Sequence, residues 1–399
     1  MKIGFFTDGY LPQINGVAIS VATCAKALEA LGHEVYVVAP KYPGYKDEKN
    51  VIRIPSMQVV KEPDYRLATF LPNKPLLTAS RIDFDIIHGH SGGPITLLGW
   101  EVSRLKRVPF VVTYHTLWNQ YTHYILRGKV IRPRMAEIAS RIFGNLCDTL
   151  IVPTVKVEKE LLDYGIDKPI LVIPNGIQVE RFRDIEKGFL REKLNLSPSA
   201  KILLYVGRLG KEKSIDFLIE SFAFIAQSQP DAVLVIVGDG PELKVLKPLV
   251  AKLSLQEKVF FAGFVPQESI PLVYADAELF LFASQSETQG MVLLEAMASG
   301  LPVVTLFDDA YTEIIDDKKN GVFVRGNVKD FAKEVDFLLG NDKKRREMSE
   351  KAREKAEIFS VMTIAKSLEK TYSDLIKKNS KKIDLPFKSL TKYLLSQGK

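Results

Sequence analysis

Two glutamates separated by seven residues form the strongest chemical signal in the sequence. Glu287 and Glu295 lie in a segment that follows an apolar, strand-like run at 279–283. We expect a helix that starts near Gly290, where free backbone N–H groups would bind an anion. Carboxylates do not bind phosphate, but they accept hydrogen bonds from sugar hydroxyls. The pair fits a nucleoside diphosphate sugar, with one carboxylate for the transferred sugar and one for the ribose; two solvated helix-surface glutamates are the alternative.

A second signal is a basic loop that contains Gly207, Arg208 and Lys213 and follows the predicted strand 202–206. Glycine lets a ligand approach the backbone closely, and both cations can reach one point from this loop. A diphosphate leaving group needs its developing charge neutralised, either by a metal ion or by fixed cations. Arginine offers a planar fork to phosphate oxygens and lysine a compact charge. We therefore expect Arg208 and Lys213 to bind the diphosphate, whereas Lys211 fits an ordinary basic surface turn.

Two weaker signals lie at the ends of the neighbouring strands. Gly238 begins a Gly-Asp-Gly-Pro turn that opens a helix, and Val265 follows the predicted strand 260–264. Both positions could offer backbone groups to a nucleotide, and Val265 in particular to the base. Plain strand-end turns would have the same sequences, so these residues support the nucleotide site without defining it.

The first half of the chain carries polar residues at similar strand ends. Gly16 precedes a predicted helix, which indicates a second group of exposed N–H donors that could meet the diphosphate. His115 ends the strand 110–114, where an imidazole can donate a hydrogen bond to a sugar hydroxyl. His88 and His90 end the neighbouring strand and fit acceptor-side or packing positions. No carboxylate or cysteine completes a metal site with the three histidines, so we predict no bound metal.

The segment 117–129 combines aromatic rings with cations. Aromatic side chains favour the interface of a membrane, and each Lys or Arg near anionic headgroups contributes about 1 kcal/mol. Between residues 104 and 141 there are eight Lys and Arg against the single acid Glu137, while the chain outside this segment and the lysine-rich tail 377–399 is net acidic. This local charge predicts an anionic membrane surface as a partner, with a packed helix as the alternative. The predicted acceptor and membrane residues are Trp118, Tyr121, His123, Tyr124, Arg127, Lys129, Arg132 and Arg134.

Short β-branched runs alternate with helix-length amphipathic segments along the whole chain. The predicted strands lie at 3–6, 35–39, 86–90, 110–114, 150–153 and 171–174, and then at 202–206, 233–237, 260–264, 279–283, 303–306 and 321–324. Continuous apolar strands between helices imply parallel sheets that are covered on both faces. Because ligands bind outside the carboxyl ends of such strands, we expect an α/β fold with two Rossmann-like, doubly wound domains that face each other across a cleft.

A turn at 174–176 and the charged segment after it mark the boundary between the two predicted domains. The predicted divisions are an N-terminal acceptor domain at 1–177, a C-terminal nucleotide-sugar domain at 178–362, a helix that packs back on the N-terminal domain at 363–380, and a basic amphipathic or disordered tail at 381–399. No segment is long and apolar enough to span a bilayer, and the start has no signal-peptide pattern, which predicts a cytoplasmic protein. Cys24 and Cys147 fit no metal spacing and are expected to be reduced.

Taken together, these motifs resemble the retaining glycosyltransferases of family 4, which have the GT-B fold. The similarity rests on the carboxylate pair, the basic loop and the turn at Gly238, and it extends to about Tyr372. It implies a transferase that keeps the anomeric configuration and that needs no metal or cofactor besides its nucleotide-sugar substrate. The residues implied in catalysis are His115, Arg208, Lys213 and Glu287, and those implied in donor binding are Gly16, Gly207, Arg208, Lys213, Gly238, Val265, Glu287, Gln289, Gly290, Met291 and Glu295.

Within this family, residues 114–116, 121–124 and 287–290 are similar to bacterial diacylglycerol glucosyltransferases. That similarity implies UDP-glucose as the donor, 1,2-diacylglycerol as the acceptor, and a peripheral position on the inner face of the cell membrane. Many family members carry an aromatic residue in place of Gln289. A family 4 enzyme that uses phosphatidylinositol or a soluble sugar is the main alternative, and a GT-B epimerase would need different acid and base groups. A basic nucleic-acid- or membrane-binding protein without catalysis is the alternative of another class, but the sequence contains no recognised nucleic-acid motif, so we predict no nucleic-acid partner.

Overall fold

The computed structural model describes residues 1–13, 15–46, 49–59, 62–68, 74–117 and 133–396. The chain divides into two compact units. Unit 1 comprises Met1–Gly176 and Val361–Lys399, and unit 2 comprises Ile177–Ser360. Unit 2 is therefore continuous in sequence, whereas unit 1 is completed by the C-terminal part of the chain.

Parallel strands and flanking helices make up most of unit 1. The strands are β1 (Lys2–Thr7), β2 (Glu34–Pro40), β3 (Val51–Ile54), β4 (Ser56–Val59), β5 (Glu62–Ala68), β6 (Ile86–His90), β7 (Phe110–Thr113), β8 (Thr149–Val152) and β9 (Ile170–Val172). The helices are α1 (Gly16–Ala30), α2 (Lys74–Arg81), α3 (Pro94–Lys106), α4 (Pro133–Leu146) and α5 (Val155–Asp163). Seven of the strands form one parallel sheet in the order β3-β2-β1-β6-β7-β8-β9 within the described residues. The strand order reverses between β1 and β6, which is where ligands bind in sheets of this type.

Unit 2 repeats this architecture. Its strands are β10 (Lys201–Val206), β11 (Ala232–Val237), β12 (Val259–Gly263), β13 (Leu279–Phe282), β14 (Val303–Leu306) and β15 (Gly321–Val324). Its helices are α6 (Phe189–Lys193), α7 (Ile215–Ser228), α8 (Leu243–Lys252), α9 (Ile270–Ala275), α10 (Met291–Ala298), α11 (Val328–Leu339) and α12 (Asp342–Ile358). The strands form a parallel sheet in the order β12-β11-β10-β13-β14-β15, with the reversal between β10 and β13. The predicted α/β fold with two doubly wound parallel sheets is confirmed.

Alternating residues of β1 show how the unit 1 sheet is covered on both faces. Phe6 is buried in a cluster with residues of α3 and α5, while its neighbour Phe5 is buried on the opposite face with residues of α1. The last helix, α13 (Val361–Ser396), joins this second face through Leu368 and Tyr372. Burial on both faces explains why these strands are continuously apolar in the sequence.

Strands β3, β4 and β5 were not predicted from the sequence. Strand β3 lies at the edge of the sheet, where only Ile54 is buried, and its Arg53 interrupts the apolar run. Strands β4 and β5 form a separate antiparallel pair in which Met57 is 63% exposed. Strands that bury so little surface lack the continuous apolar pattern on which the prediction relied.

No helix in the part of the chain that the structure describes combines the length and the apolar character required to cross a membrane.

Candidate active site

The strand reversal in unit 2 brings the two strongest sequence motifs to one edge of the sheet. Strands β10 and β13 are neighbours in the sheet, with Leu204 paired to Phe280. The loop that contains Arg208 and Lys213 follows β10, and the loop that contains Glu287 follows β13. The two loops therefore leave the carboxyl ends of adjacent strands, the usual position of a ligand site in this type of fold.

Lys213 and Glu287 form a direct ion pair, in which the Lys213 ammonium donates to Oε1 of Glu287. Their side chains are only 15% and 18% exposed, so the pair is partly shielded from water. The buried hydroxyl of Ser284 donates to the same Oε1 at 3.0 Å. Tyr311 in turn donates to the Ser284 carbonyl at 2.8 Å. The sequence predicts that Lys213 and Glu287 bind different parts of a ligand, whereas in the structure the two side chains bind each other. A ligand that binds either side chain must therefore bind alongside this ion pair or break it.

Arg208 is exposed in the loop after β10, and the fully buried Tyr205 contacts the backbone of this loop. The Tyr205 hydroxyl donates to the Arg208 carbonyl at 3.2 Å. Burial, reinforced by the nearby charges of Glu287 and Glu212, raises the pKa of Tyr205 well above its usual value, so the phenol stays protonated and remains a donor. A Cβ at Gly207 would lie 2.9 Å from the Tyr205 hydroxyl, so glycine is needed there. The arrangement fixes the loop while leaving Arg208 accessible to an anion.

The turn after β11 packs directly against the loop after β10. Gly238 has φ of +131°, and a Cβ there would lie 1.9 Å from the Gly207 carbonyl oxygen. The Gly238 N–H donates to the Gly263 carbonyl at 2.9 Å, which ties the turn to the end of β12. Val265, two residues further on, is buried. The predicted residues Gly207, Gly238 and Val265 therefore belong to one connected edge.

Helix α10 begins where it was predicted, with Gly290 at its N-cap and Met291 as its first residue. Gly290 has φ of +82°, which favours glycine, and Gln289 before it is buried. Glu295 lies in the helix and accepts a hydrogen bond from the Tyr274 hydroxyl at 2.9 Å. Burial raises the pKa of Glu295 to about 7, against the opposing effects of that hydrogen bond and of Arg181. Near neutral pH this carboxyl is therefore close to balance between its protonated and ionised forms.

In unit 1, Asp8 organises the edge at the strand reversal. It follows β1 and accepts hydrogen bonds from the N–H groups of Gly93 at 3.1 Å, Ile95 at 2.9 Å and Thr96 at 3.3 Å. The carboxylate thus occupies the N-terminus of α3, which depends on a partner of this kind for its first N–H groups. Burial raises the pKa of Asp8 in spite of these hydrogen bonds. Asp8 serves the fold, and this N-terminus is not open to a ligand.

The N-terminus of α1 differs from that of α3. Asn15 caps it, since its side-chain oxygen accepts from the Ala18 N–H at 2.8 Å. Gly16 is the first helical residue, and a Cβ built there would have no described atom within 4 Å. No described residue of unit 1 therefore fills the space beside Gly16. A ligand contact at Gly16 stays a prediction.

The three predicted histidines of unit 1 lie together and are buried. The ring centroids of His88 and His90 lie 4.1 Å apart with the ring planes tilted by 30°, and His90 Nδ1 lies 3.2 Å from His115 Nε2. Burial lowers the pKa of all three, to about 3 for His88, well below the usual value for His90 and to about 4 for His115. The rings are therefore uncharged at neutral pH and suited to hydrogen bonds with neutral groups. Among the described residues, no group of three or more His, Cys, Asp or Glu is placed to hold a metal ion.

Most of the predicted membrane and acceptor residues lie outside the described residues. These are Trp118, Tyr121, His123, Tyr124, Arg127, Lys129 and Arg132. Arg134 is described; it is exposed in the first turn of α4. The structure thus places only this one of the eight predicted residues at a surface.

Several residues of these sites were missed at the level of sequence. Ser284 comes directly after the predicted strand 279–283 and Asp8 two residues after the predicted strand 3–6, and these strand-end positions were a signal that could have identified them. Tyr205, Tyr274 and Tyr311 are fully buried and resemble ordinary core aromatics in the sequence. Their hydroxyl contacts become visible only in the folded chain.

Comparison with known proteins agrees with this fold. Residues 14–181 match the family described as Glycosyltransferase Family 4, and residues 186–355 match Glycosyl transferases group 1. The crystal structure of HepE from Anabaena with UDP-glucose superimposes with a TM-score of 0.71 at 20% identity, over 94% of this chain and 100% of that one. The two doubly wound sheets are thus those of the GT-B class of glycosyltransferases.

Curated relatives extend the similarity over nearly the whole chain. The alpha-monoglucosyldiacylglycerol synthase of Acholeplasma laidlawii is 32% identical over 400 residues, which cover 96% of this chain and 100% of the relative. The enzyme of the same name from Streptococcus pneumoniae is 34% identical over 393 residues, which cover 96% of this chain and 88% of that relative. This chain belongs to glycosyltransferase family 4 and is a glycosyltransferase.

Proposed function

We propose that this enzyme transfers glucose from UDP-glucose to 1,2-diacylglycerol in a membrane, with retention of the anomeric configuration. The donor is bound by unit 2 and the acceptor by unit 1. The two relatives described above carry the name of this activity and align with nearly the full chain, which supports the lipid acceptor. HepE, solved with UDP-glucose, has the same fold, which supports a nucleotide-sugar donor.

The observation that carries the proposal is the meeting of Lys213, Glu287 and the start of α10 at the strand reversal of unit 2. Backbone N–H groups at the start of a helix favour a diphosphate, and a lysine beside them stabilises the charge that develops as the diphosphate leaves. Arg208 on the adjacent loop adds a planar donor for the same oxygens. Glu287 accepts from hydroxyls of the transferred sugar, and Glu295 from those of the ribose. In unit 1, His115 donates a hydrogen bond to a sugar hydroxyl.

We propose that these fixed cations take the part that a metal ion would otherwise play. Transfer is then expected to continue at an unchanged rate in excess EDTA, which is measured with enzyme that has been dialysed against the chelator. A loss of activity in EDTA that a divalent ion restores would contradict this part of the proposal.

The enzyme is proposed to act as a peripheral protein on the cytoplasmic face of the membrane. The basic segment that includes Arg134 supports this position, because anionic lipids attract clustered Lys and Arg. A diacylglycerol acceptor resides in the bilayer, so its glycosylation requires the enzyme to reach the membrane surface.

A screen of donors and acceptors tests the proposal. UDP-glucose, other UDP-sugars and GDP-sugars are each combined with diacylglycerol, phosphatidylinositol and soluble sugars, and the product's anomeric configuration is determined by NMR. We expect an α-glucosyl diacylglycerol from UDP-glucose. Transfer to phosphatidylinositol or to a soluble sugar alone would reject the proposed acceptor, and inversion at the anomeric carbon would reject the retaining mechanism.

A further inference from the structure

One buried ring nitrogen in the histidine cluster of unit 1 has no hydrogen-bond partner among the described residues. His88 is bonded at both nitrogens, to the Tyr372 hydroxyl at 2.6 Å and to the Thr113 hydroxyl at 2.7 Å. His90 reaches His115 through Nδ1 at 3.2 Å. Within the described part of the chain, Nε2 of His90 has no hydrogen-bond partner, although the residue is only 3% exposed. This asymmetry determines how the protons are placed.

A hydrogen bond between two imidazole nitrogens contains one proton. Burial keeps His90 and His115 uncharged at neutral pH, so each ring carries a single N–H. If His90 donates from Nδ1, its unpartnered Nε2 is a bare acceptor. If His115 donates instead, the proton of His90 must lie on Nε2, where it would be a buried donor with nothing to receive it. Buried donors without a partner are rarer than buried acceptors without one, which favours donation by His90.

We infer that His90 is a positioning residue that donates from Nδ1 to His115 Nε2 and thereby keeps the proton of His115 on Nδ1. The inference rests on the proposed function, in which His115 donates a hydrogen bond to a sugar hydroxyl. Only this tautomer leaves His115 an N–H that is not already used within the pair. Histidine in water prefers the proton on Nε2, so the opposite tautomer at His115 must be imposed by a fixed neighbour.

The surroundings of His90 hold its ring in place. Phe5 contacts it edge to face, with 4.6 Å between ring centroids and an interplanar angle of 63°. The His88 ring also contacts it, at 4.1 Å between centroids with the planes tilted by 30°, and the Thr96 hydroxyl donates to the His90 carbonyl at 3.0 Å. A ring that packs against neighbours in this way cannot turn to exchange its nitrogens, so it can impose one tautomer on His115.

The tautomer is measured directly by long-range ¹H–¹⁵N correlation on the full-length chain labelled with ¹⁵N-histidine, without ligand. The chain has five histidines, and a His115→Gln variant assigns the signals. We expect His115 to be protonated on Nδ1 in the wild-type chain. A proton on Nε2, or a mixture like that of histidine in water, would overturn the inference.

Two variants of His90 separate donation from packing. In His90→Asn the side-chain amide can donate from the position of Nδ1, whereas His90→Leu fills a similar volume without a donor. We expect the Asn variant to keep the His115 tautomer and most of the transfer rate. In the Leu variant, His115 should no longer be held with its proton on Nδ1. This variant should also lower kcat by about 10- to 100-fold with little change in the KM for the donor. That is the size of effect seen when the partner that orients a functional histidine is removed.

His88→Leu is the matched control, because His88 is also fully buried in the cluster but is bonded to Tyr372 and Thr113. It should lower the thermal stability and leave the tautomer of His115 unchanged. An equal loss of the tautomer in both Leu variants would assign the effect to packing and overturn the positioning role. Because the tautomer is read without substrate, it can be found even if glucose transfer is not, in which case the proposed function fails alone.

Discussion

The two strand reversals of this molecule occupy the same position in similar sheets but carry different kinds of polar group. In unit 2, the charged groups of Lys213 and Glu287 pair with each other, and Arg208 is exposed beside them. In unit 1, the corresponding edge has uncharged histidines, and its half-buried carboxylate, Asp8, accepts hydrogen bonds from the N-terminus of α3. The fold therefore supplies the edge, and the residues after each strand decide whether it suits an anion or a neutral hydroxyl.

The largest expected effect concerns the charged edge. Lys213→Ala should lower kcat by about 100- to 1,000-fold, because the charge that develops on the leaving diphosphate loses a fixed donor. Circular dichroism should show an intact fold, since the lysine is at the sheet's edge. Lys211→Ala is the matched control, because Lys211 is exposed in the same loop after β10 and should keep a normal rate. A near-normal rate in Lys213→Ala would contradict the proposed donor site. The charged edge of unit 2 would then not differ in function from the uncharged edge of unit 1.

The next effect concerns the stability of the neutral edge. Asp8→Ala should lower the free energy of unfolding of unit 1 by about 2 kcal/mol. The reason is that the N–H groups of Gly93, Ile95 and Thr96, at the start of α3, lose a charged acceptor. Hydrogen exchange of amides in unit 1 measures the change. Asp83→Ala is the control; this carboxylate is 92% exposed and binds Lys106, so little change is expected. If the two substitutions change the unfolding free energy of unit 1 by similar amounts, Asp8 does not stabilise the start of α3.

A smaller effect concerns the ionisation of Glu295. With a pKa of about 7, its ionised fraction rises from about one tenth at pH 6 to about nine tenths at pH 8. If the carboxylate accepts from the ribose, the affinity for UDP-glucose should rise by up to about ninefold over this range, as measured by calorimetry. UDP-glucose is the suitable probe because its diphosphate does not titrate there. Glu295→Gln should remove the pH dependence of the affinity. If the affinity of the wild type does not change between pH 6 and pH 8, Glu295 does not take part in nucleotide binding.

The raised pKa of Glu295 also has a consequence for stability. Its pKa is above the ordinary 4.5, so ionisation opposes folding and unit 2 should lose stability as the pH rises from about 4.5 to about 7. Glu295→Gln should therefore be more stable than the wild type at pH 8 and no more stable at pH 4. Thermal unfolding of both proteins across this range checks the sign, and an advantage that grows toward acid pH would contradict it.

The smallest effect tests which unit binds the membrane. Arg134→Gln should weaken binding to vesicles that contain phosphatidylglycerol by about fivefold, which corresponds to about 1 kcal/mol for one basic residue. Arg346→Gln is the matched control, since Arg346 is an exposed helix residue of unit 2. Sedimentation with the vesicles measures both. Equal weakening by the two substitutions would show that net charge alone, rather than the basic segment of unit 1, governs the association.

The fold could be predicted from the sequence wherever a strand is buried on both faces. After Lys201, the run that forms β10 is apolar and buried throughout, so its pattern identifies the strand without knowledge of its neighbours. Strand β3 could not be found in this way, because it is partly exposed and includes Arg53. Predictability here follows the extent of burial.

The candidate site could be predicted as a set of residues but not as a set of contacts. The glycines and charged residues after β10 and β13 indicated a shared edge, because the carboxyl ends of parallel strands lie together. That Lys213 would bind Glu287, 74 residues away, depends on side-chain conformations that no local pattern specifies. The same is true of His88 and Tyr372, which are 284 residues apart in the sequence.

The two points at which the chain passes between the units have a practical consequence. Ile177 and Ser360, the first and last residues of unit 2, are bridged to each other, and the Ile177 N–H donates to the Phe359 carbonyl at 2.9 Å. Unit 2 is thus a continuous segment whose two ends lie side by side, and domains inserted into a chain in this way are well tolerated. Exchanging residues 177–360 for the matching segment of a relative should therefore give a folded chimera. On the proposed function, its choice of sugar donor should follow the inserted segment, while the acceptor stays that of the host.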